Sequence, residues 1–174
     1  RCDYNINAGT NFANGTPSAT DKSAGSGSVD GAGQNTSAGT LRIADFLDGT
    51  SNTMLIAEKW LHPTNYTNGA DGGDNEVWCN AGWDECHVRQ AGGTYTYLYN
   101  NGQKAPPGSP SRTIDRTPRP DSEAPAQVDA AGANITIWNQ SFGGPHTGGL
   151  TSVMSDGSVR GFRFGLAQAA WIAT

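Results

Sequence analysis

The chain has 174 residues and a formal net charge of −5, with 35% hydrophobic and 16% charged residues. That is one domain's length with a thin supply of core material. No apolar run approaches the ~18 residues of a membrane span, no heptad pattern supports a coiled coil, and an acidic balance without a Lys/Arg run excludes nucleic acid as a partner. Five Trp, five Tyr and five Phe supply anchors that a disordered chain lacks. A loop-rich, low-charge, mostly β domain with a polar surface remains, in a style commoner outside cells than in cytosol.

The chain opens Arg1-Cys2-Asp3, without Met or a signal-like segment, so an N-terminal part removed by processing or omitted is expected. Residues 1–40 are Gly/Ser/Asn/Thr-rich and read as a long loop or arm. Ile43, Phe46 and Leu47 have helical spacing, and Gly49 ends the turn. Met54 to Trp60 is a continuous apolar run of strand length, predicting a buried central strand. Residues 63–76 form a polar loop with Asn68-Gly69 and Asp71-Gly72 turn signals. Thr94 to Tyr99 alternates, with Tyr95, Tyr97 and Tyr99 on one face of a half-exposed strand. Residues 104–126 are Pro-rich and read as a stiff surface arm. Ile135 and Ile137 alternate toward Trp138, suggesting a short strand. Near the end, Asp156-Gly157 stands between two strand-like runs. This predicts a hairpin with a type I′ turn, in which both central residues take φ > 0. Leu166 to Thr174, with Leu166, Ala170 and Trp171 on one face, predicts a short helix.

Chemistry-bearing motifs are sparse. There is no G-x-S-x-G, no Walker A and no dinucleotide fingerprint. His62, His87 and His146 lack the spacing of a helical metal pair. His146, between Gly143-Gly144-Pro145 and Gly148-Gly149, reads as a residue that fixes the mouth of the last hairpin through its hydrogen bonds; the sharper alternative is a ligand or a base. Asp45, Asp48, Ser51 and Asn52 crowd around Gly49, where Asp and Asn cap helix ends and close turns. Asp71, Asp74 and Glu76, with Asp84 and Glu85 further on, put hard oxygens on a Gly-rich loop, which suits either a weak calcium site or a solvated acidic surface. Cys79 and Cys86 close a short loop and are candidates for a disulfide, with reduced buried thiols as the alternative; Cys2 would be left over. Glycosylation triplets occur at Asn14, Asn35, Asn65, Asn134 and Asn139, and would mark exposed loops in a glycosylating source.

Two stretches carry a resemblance. Ile43-Ala44-Asp45-Phe46-Leu47-Asp48-Gly49-Thr50-Ser51-Asn52-Thr53 is followed by Glu58. His146 is separated by nine residues from Asp156-Gly157. Together these motifs resemble the planctomycete family of pilin-like secreted proteins of unknown function, with its I-x-D-x-x-D-G-T-S-N-T and C-terminal H-x9-D-G signatures. The opening Cys2-Asp3-Tyr4-Asn5 and the closing Ala170-Trp171 also resemble that pattern, while residues 60–140 do not. The resemblance implies a single α+β, β-rich head domain: a type IV pilin-like antiparallel sheet with long irregular loops and short helices. It also implies a prepilin-type N-terminal helix that this sequence lacks, whose place on the 53–60 strand and the final hairpin a neighbouring subunit could take.

The functional expectation is a non-enzymatic structural protein, extracellular or at the cell surface, that assembles with copies of itself into a filament, tube or lattice. The alternative is an extracellular calcium- or carbohydrate-binding module using Trp60, Trp78, Trp83 and the 71–76 loop. A third reading is a hydrolase built on His146 and Asp156.

Overall fold

A computed structural model of the chain describes residues 2–9, 31–33, 41–71, 73–75, 86–92, 94–96, 113–125 and 137–172. Five strands form the main sheet: β1 (Tyr4–Asn7), β2 (Met54–Glu58), β3 (Val88–Arg89), β8 (Gly149–Met154) and β9 (Val159–Arg163), in the order β3-β1-β2-β8-β9. Two small sheets join β4 (Thr94–Thr96) to β5 (Thr113–Asp115) and β6 (Arg119–Pro120) to β7 (Gly143–Gly144). One short helix, α1 (Gln168–Ile172), follows the last strand. The architecture is β-rich α+β, as expected, but the sheet is mixed: β1 runs parallel to β3 and antiparallel to β2. Among the described residues no helix is long and apolar enough to cross a membrane.

The apolar run at Met54 does become the middle strand. β2 pairs β1 on one side and β8 on the other. Its pairing with β8 skips Leu55: Met54 stands opposite Met154, and Ile56 opposite Val153. This bulge sets the faces. With one extra residue in the strand, Met54 turns to the side of Ala57, away from Ile56.

The sheet therefore has two unlike faces. On the covered one, Met54, Ala57, Leu150 and Met154 pack with Phe142 and Trp171, and Phe162 and Phe164 close the margin. The Trp171 ring meets Phe162 and Phe142 edge-on, at centroid distances of 5.5 and 6.2 Å. A five-residue helix has no stability of its own. Burial of the Trp171 ring, roughly 150–250 Å² of surface, holds it down. On the open face, register lines up Ile6, Ile56, Val153 and Val159 across four strands. Ile56 and Val153 are half-buried, Ile6 is 38% exposed and Val159 is 66% exposed.

Several expectations give way. Residues 1–40 are not all arm, because Tyr4–Asn7 is an interior strand of the sheet. Its covered-face positions are Asn5 and Asn7, polar residues that hide the alternation. Asn7 donates to the Met54 carbonyl at 3.0 Å, and its Oδ1 accepts from the Gly9 N–H at 2.8 Å. Within the Pro-rich 104–126 arm, the segment 113–125 is built into the body. Arg116, Thr117 and Asp121 are buried with Pro118, and the Pro120 carbonyl accepts from the Trp60 indole at 3.1 Å. Ile137–Gln140 is a 3₁₀ turn rather than part of a strand. The helix at Ile43 shrinks to one 3₁₀ turn, Ile43–Asp45, and leaves Ile43 and Leu47 exposed.

The final hairpin forms with a different turn. The Gly157 N–H donates to the Met154 carbonyl and the Met154 N–H to the Ser158 carbonyl, which makes a three-residue loop. Ser155 and Asp156 take the turn's centre, and Gly157, at φ +84°, supplies the left-handed step that returns the chain to β9. Asp156 prefers this geometry because its Oδ1 accepts from the Ser158 N–H at 2.9 Å.

Candidate functional site

The two sequence motifs meet at the hairpin tip. The Ser155 N–H donates to the Thr53 carbonyl at 2.8 Å and the Asp156 N–H to the Thr50 carbonyl at 3.1 Å. The 49–53 turn that receives them is closed from within. Gly49 sits at φ +85°, and its carbonyl accepts from the Asn52 N–H and the Thr53 hydroxyl. The Asn52 side chain donates to the Asp48 carbonyl at 2.9 Å, and Ser51 lies half-buried in the same turn. One turn earlier, Asp45 Oδ2 accepts from the Arg42 N–H at 2.7 Å. That bond, with the nearby Arg42 guanidinium, holds the Asp45 carboxyl below its ordinary value. Hydrogen bonds from Ser158 do the same for Asp156. The motif residues here cap and lock a turn–turn junction.

The other end of the hairpin borders a cleft of about 410 Å³, whose walls include Asp3, Tyr4, Glu58, Tyr66, Asp121 and His146. Glu58 is its buried centre. Past Ala57, β2 leaves β8 and runs beside 141–142: Lys59 bridges Phe142, and the Trp60 N–H donates to the Ser141 carbonyl. Thr151 would lose its ladder partner at this fork. Glu58 Oε2 takes its N–H instead, at 2.9 Å. The other oxygen accepts from the Tyr4 hydroxyl at 3.4 Å and lies 3.6 Å from His146 Nε2. Gly144 leaves room for this fit, and Gly143 for the pairing of β7 with β6. A Cβ on Gly144 would stand 3.1 Å from Glu58 Oε2, and one on Gly143 would strike the Arg119 carbonyl at 2.3 Å. His146 is exposed at the rim.

Across the cleft, Asp121 accepts from the Leu61 N–H at 3.0 Å and from the Tyr66 hydroxyl at 2.5 Å. Burial, with the charges of Glu58 and Asp3 nearby, pushes the Asp121 carboxyl above its ordinary value. Burial and the bond to Asp121 raise the Tyr66 hydroxyl as well, and Tyr4 is raised by burial and by Glu58. The cleft is thus acidic and tyrosine-rimmed, with Glu58 and Asp121 spent on backbone and hydroxyl donors. Asp121, Tyr66 and Lys59 had no motif to mark them in the sequence.

The remaining candidates scatter. Asp156 sits at the far end of the six-residue β8 from His146, about 20 Å at ~3.4 Å per residue. The pair needed for a hydrolytic reading is not brought together. The calcium expectation meets Asp71 and Asp74 turned inward: Asp71 accepts from the Trp138 indole at 2.6 Å and the Gly73 N–H at 3.1 Å, and Asp74 is paired with buried Lys59 at 2.9 Å. Among the described residues no three His, Cys, Asp or Glu side chains stand together as metal ligands; Glu76, Asp84 and Glu85 lie outside them. Trp60, offered as a carbohydrate platform, is fully buried, and Trp78 and Trp83 are outside the described residues. Among the described residues no disulfide is formed: Cys86 Sγ lies 3.5 Å from Asn75 Oδ1, and Cys79, the other half of the candidate pair, falls outside them. Asn65 and Asn139 are buried, so a glycan on either would have to displace its packing, while Asn14, Asn35 and Asn134 fall outside the described residues. The same holds for Tyr97 and Tyr99.

No curated protein and no solved structure matches the chain. A family model described as "Protein of unknown function (DUF1559)" matches residues 3–163, a span that takes in the 43–58 motif, the hairpin and the cleft between them. The chain belongs to this DUF1559 family.

Proposed function

We propose that this chain is a structural subunit, pilin-like in kind, that assembles with copies of itself into a filament, tube or lattice outside the cell or at its surface. The observation that supports this reading is the open face of the main sheet. Its row of Ile6, Ile56, Val153 and Val159 crosses four strands and ends in side chains that water reaches. Fully burying one such side chain is worth about 1.5–3 kcal/mol. A neighbour laid on this face gains the part of that burial the isolated chain leaves unmade, most of it at Val159 and Ile6. The family motifs fit the same reading, since their residues stiffen the hairpin and the turn that frame the face.

Electron microscopy of the purified chain is expected to show a regular repeat. The double variant Ile6→Ser/Val153→Ser is expected to lose that repeat while keeping its circular dichroism spectrum. A wild-type chain that stays monomeric at high concentration, or a repeat indifferent to the substitutions, would overturn the reading.

A further inference from the structure

We infer that β9 is a self-pairing edge: two copies join their main sheets through antiparallel β9 strands related by a two-fold axis at Gly161. This inference rests on the self-assembly reading and names one contact within it.

The two edges of the sheet differ. At the β3 side the chain covers itself, as the Gln90 N–H donates to the Gln140 carbonyl and Gln90 bridges Ser141. At the β9 side nothing among the described residues pairs with the strand's outer row. Val159, Arg160, Gly161 and Arg163 are exposed, and a Cβ built on Gly161 meets nothing within 4 Å. The bonding pattern fixes which groups point outward. Met154 donates to the Ser158 carbonyl and Phe164 to the Gly148 carbonyl, so residues 158, 160, 162 and 164 face β8. Antiparallel pairing alternates, which turns the N–H and C=O groups of Val159, Gly161 and Arg163 away from the sheet.

Those three residues are symmetric about Gly161. In a two-fold antiparallel pair centred there, Val159 stands opposite Arg163 of the second copy, and Gly161 opposite its own equivalent. Each of these pairs exchanges both N–H···O bonds. On the other side of the strand, Arg160 stands opposite Phe162, where a guanidinium can lie over the ring. No arginine faces an arginine. Moving the axis to Arg160 would set that residue against itself, and moving it to Phe162 would push Val159 past the end of the partner strand. The arginines that discourage casual pairing at this edge thereby select one register. The contact also extends the open apolar row, because Val159 meets the aliphatic stem of the second copy's Arg163.

Cysteine cross-linking in a Cys2→Ser background tests the register. Residues directly opposite in a hydrogen-bonded pair have Cα atoms about 5.5 Å apart, inside the ~4.4–6.8 Å range of a disulfide. Gly161→Cys is expected to form a covalent dimer with oxidised glutathione, as is the double variant Val159→Cys/Arg163→Cys. Val159→Cys alone is expected to remain a monomer on a non-reducing gel. Absence of dimer from both Gly161→Cys and the double variant, or equal dimer from Val159→Cys alone, would overturn the register. If the wild-type chain still shows a repeat by microscopy, only this edge contact falls; if the wild type is monomeric throughout, the self-assembly reading falls with it.

Discussion

Glu58 shows how one residue can stand in for a strand. Where β2 turns away from β8, the Thr151 N–H faces a gap in the ladder, and the Glu58 carboxylate fills it at 2.9 Å. A buried donor left unpaired costs about 1–3 kcal/mol. Glu58→Ala is therefore expected to lower the unfolding free energy by about that amount in urea, whereas Glu58→Gln, which keeps an acceptor oxygen, should recover most of it. Equal losses in the two variants would show that charge, not acceptance, is the role. The sequence singles out Glu58 by its distance from the Asp45–Thr53 motif but not by its task, because the fork in the sheet depends on Ser141 and Phe142, more than eighty positions away. Asp71 and Asp74 mislead for a related reason. Acidic residues in a Gly-rich loop look solvated until Trp138 and Lys59 are placed over them, and neither partner is local.

At the scale of elements, the segment 113–125 matters most to the cleft. Asp115 anchors its start: its carboxylate accepts from the Thr117 hydroxyl at 2.6 Å and pairs with Arg119 at 3.1 Å. Asp121 anchors its end against Leu61 and Tyr66. The two carboxyls respond oppositely to acid. The Asp115 carboxyl is held below the ordinary 3.8, chiefly by its Thr117 bond, so the stability it lends is present above that value and is lost as pH falls through its folded value. The Asp121 carboxyl is raised above 3.8 by burial, so its folded form takes up a proton first; its contribution is complete below 3.8 and is lost as pH rises through its folded value. Urea unfolding from about pH 6 down to about pH 3 is expected to show Asp121→Asn without the gain on first acidification. Asp115→Asn is expected to lack part of the later loss. Proline density concealed this element, as Pro118 and Pro120 suggest a solvated arm when read alone. The Trp60 indole, reaching the Pro120 carbonyl, and the pairing of β6 with β7 draw them inward. By contrast, β2 and the β8–β9 hairpin were legible because their apolar runs and turn residues are contiguous. β1 was not, since asparagines occupy its inward positions.

For the whole molecule, two different self-contacts have a consequence that neither has alone. A two-fold contact closes on itself and makes a dimer. An open-face contact and a β9-edge contact used in alternation link copy to copy, and where their axes do not meet the chain of copies grows without limit. Blocking one contact should then stop growth at dimers held by the other. Analytical ultracentrifugation is expected to find dimers for Ile6→Ser/Val153→Ser, dimers for Gly161→Pro, which removes an outward N–H, and monomers when the two are combined. A single block that yields monomers would mean that one surface carries the whole assembly. The position of β2 bears on a different process. Its neighbours lie on either side of it in sequence and far from it, β1 at Tyr4–Asn7 and β8 at Gly149–Met154. During synthesis, Met54–Glu58 leaves the ribosome long before β8 exists, with one side of its backbone unsatisfied and its isoleucine uncovered. The sheet can close only when residues 149–163 have emerged, so until then the nascent chain must be kept from premature pairing.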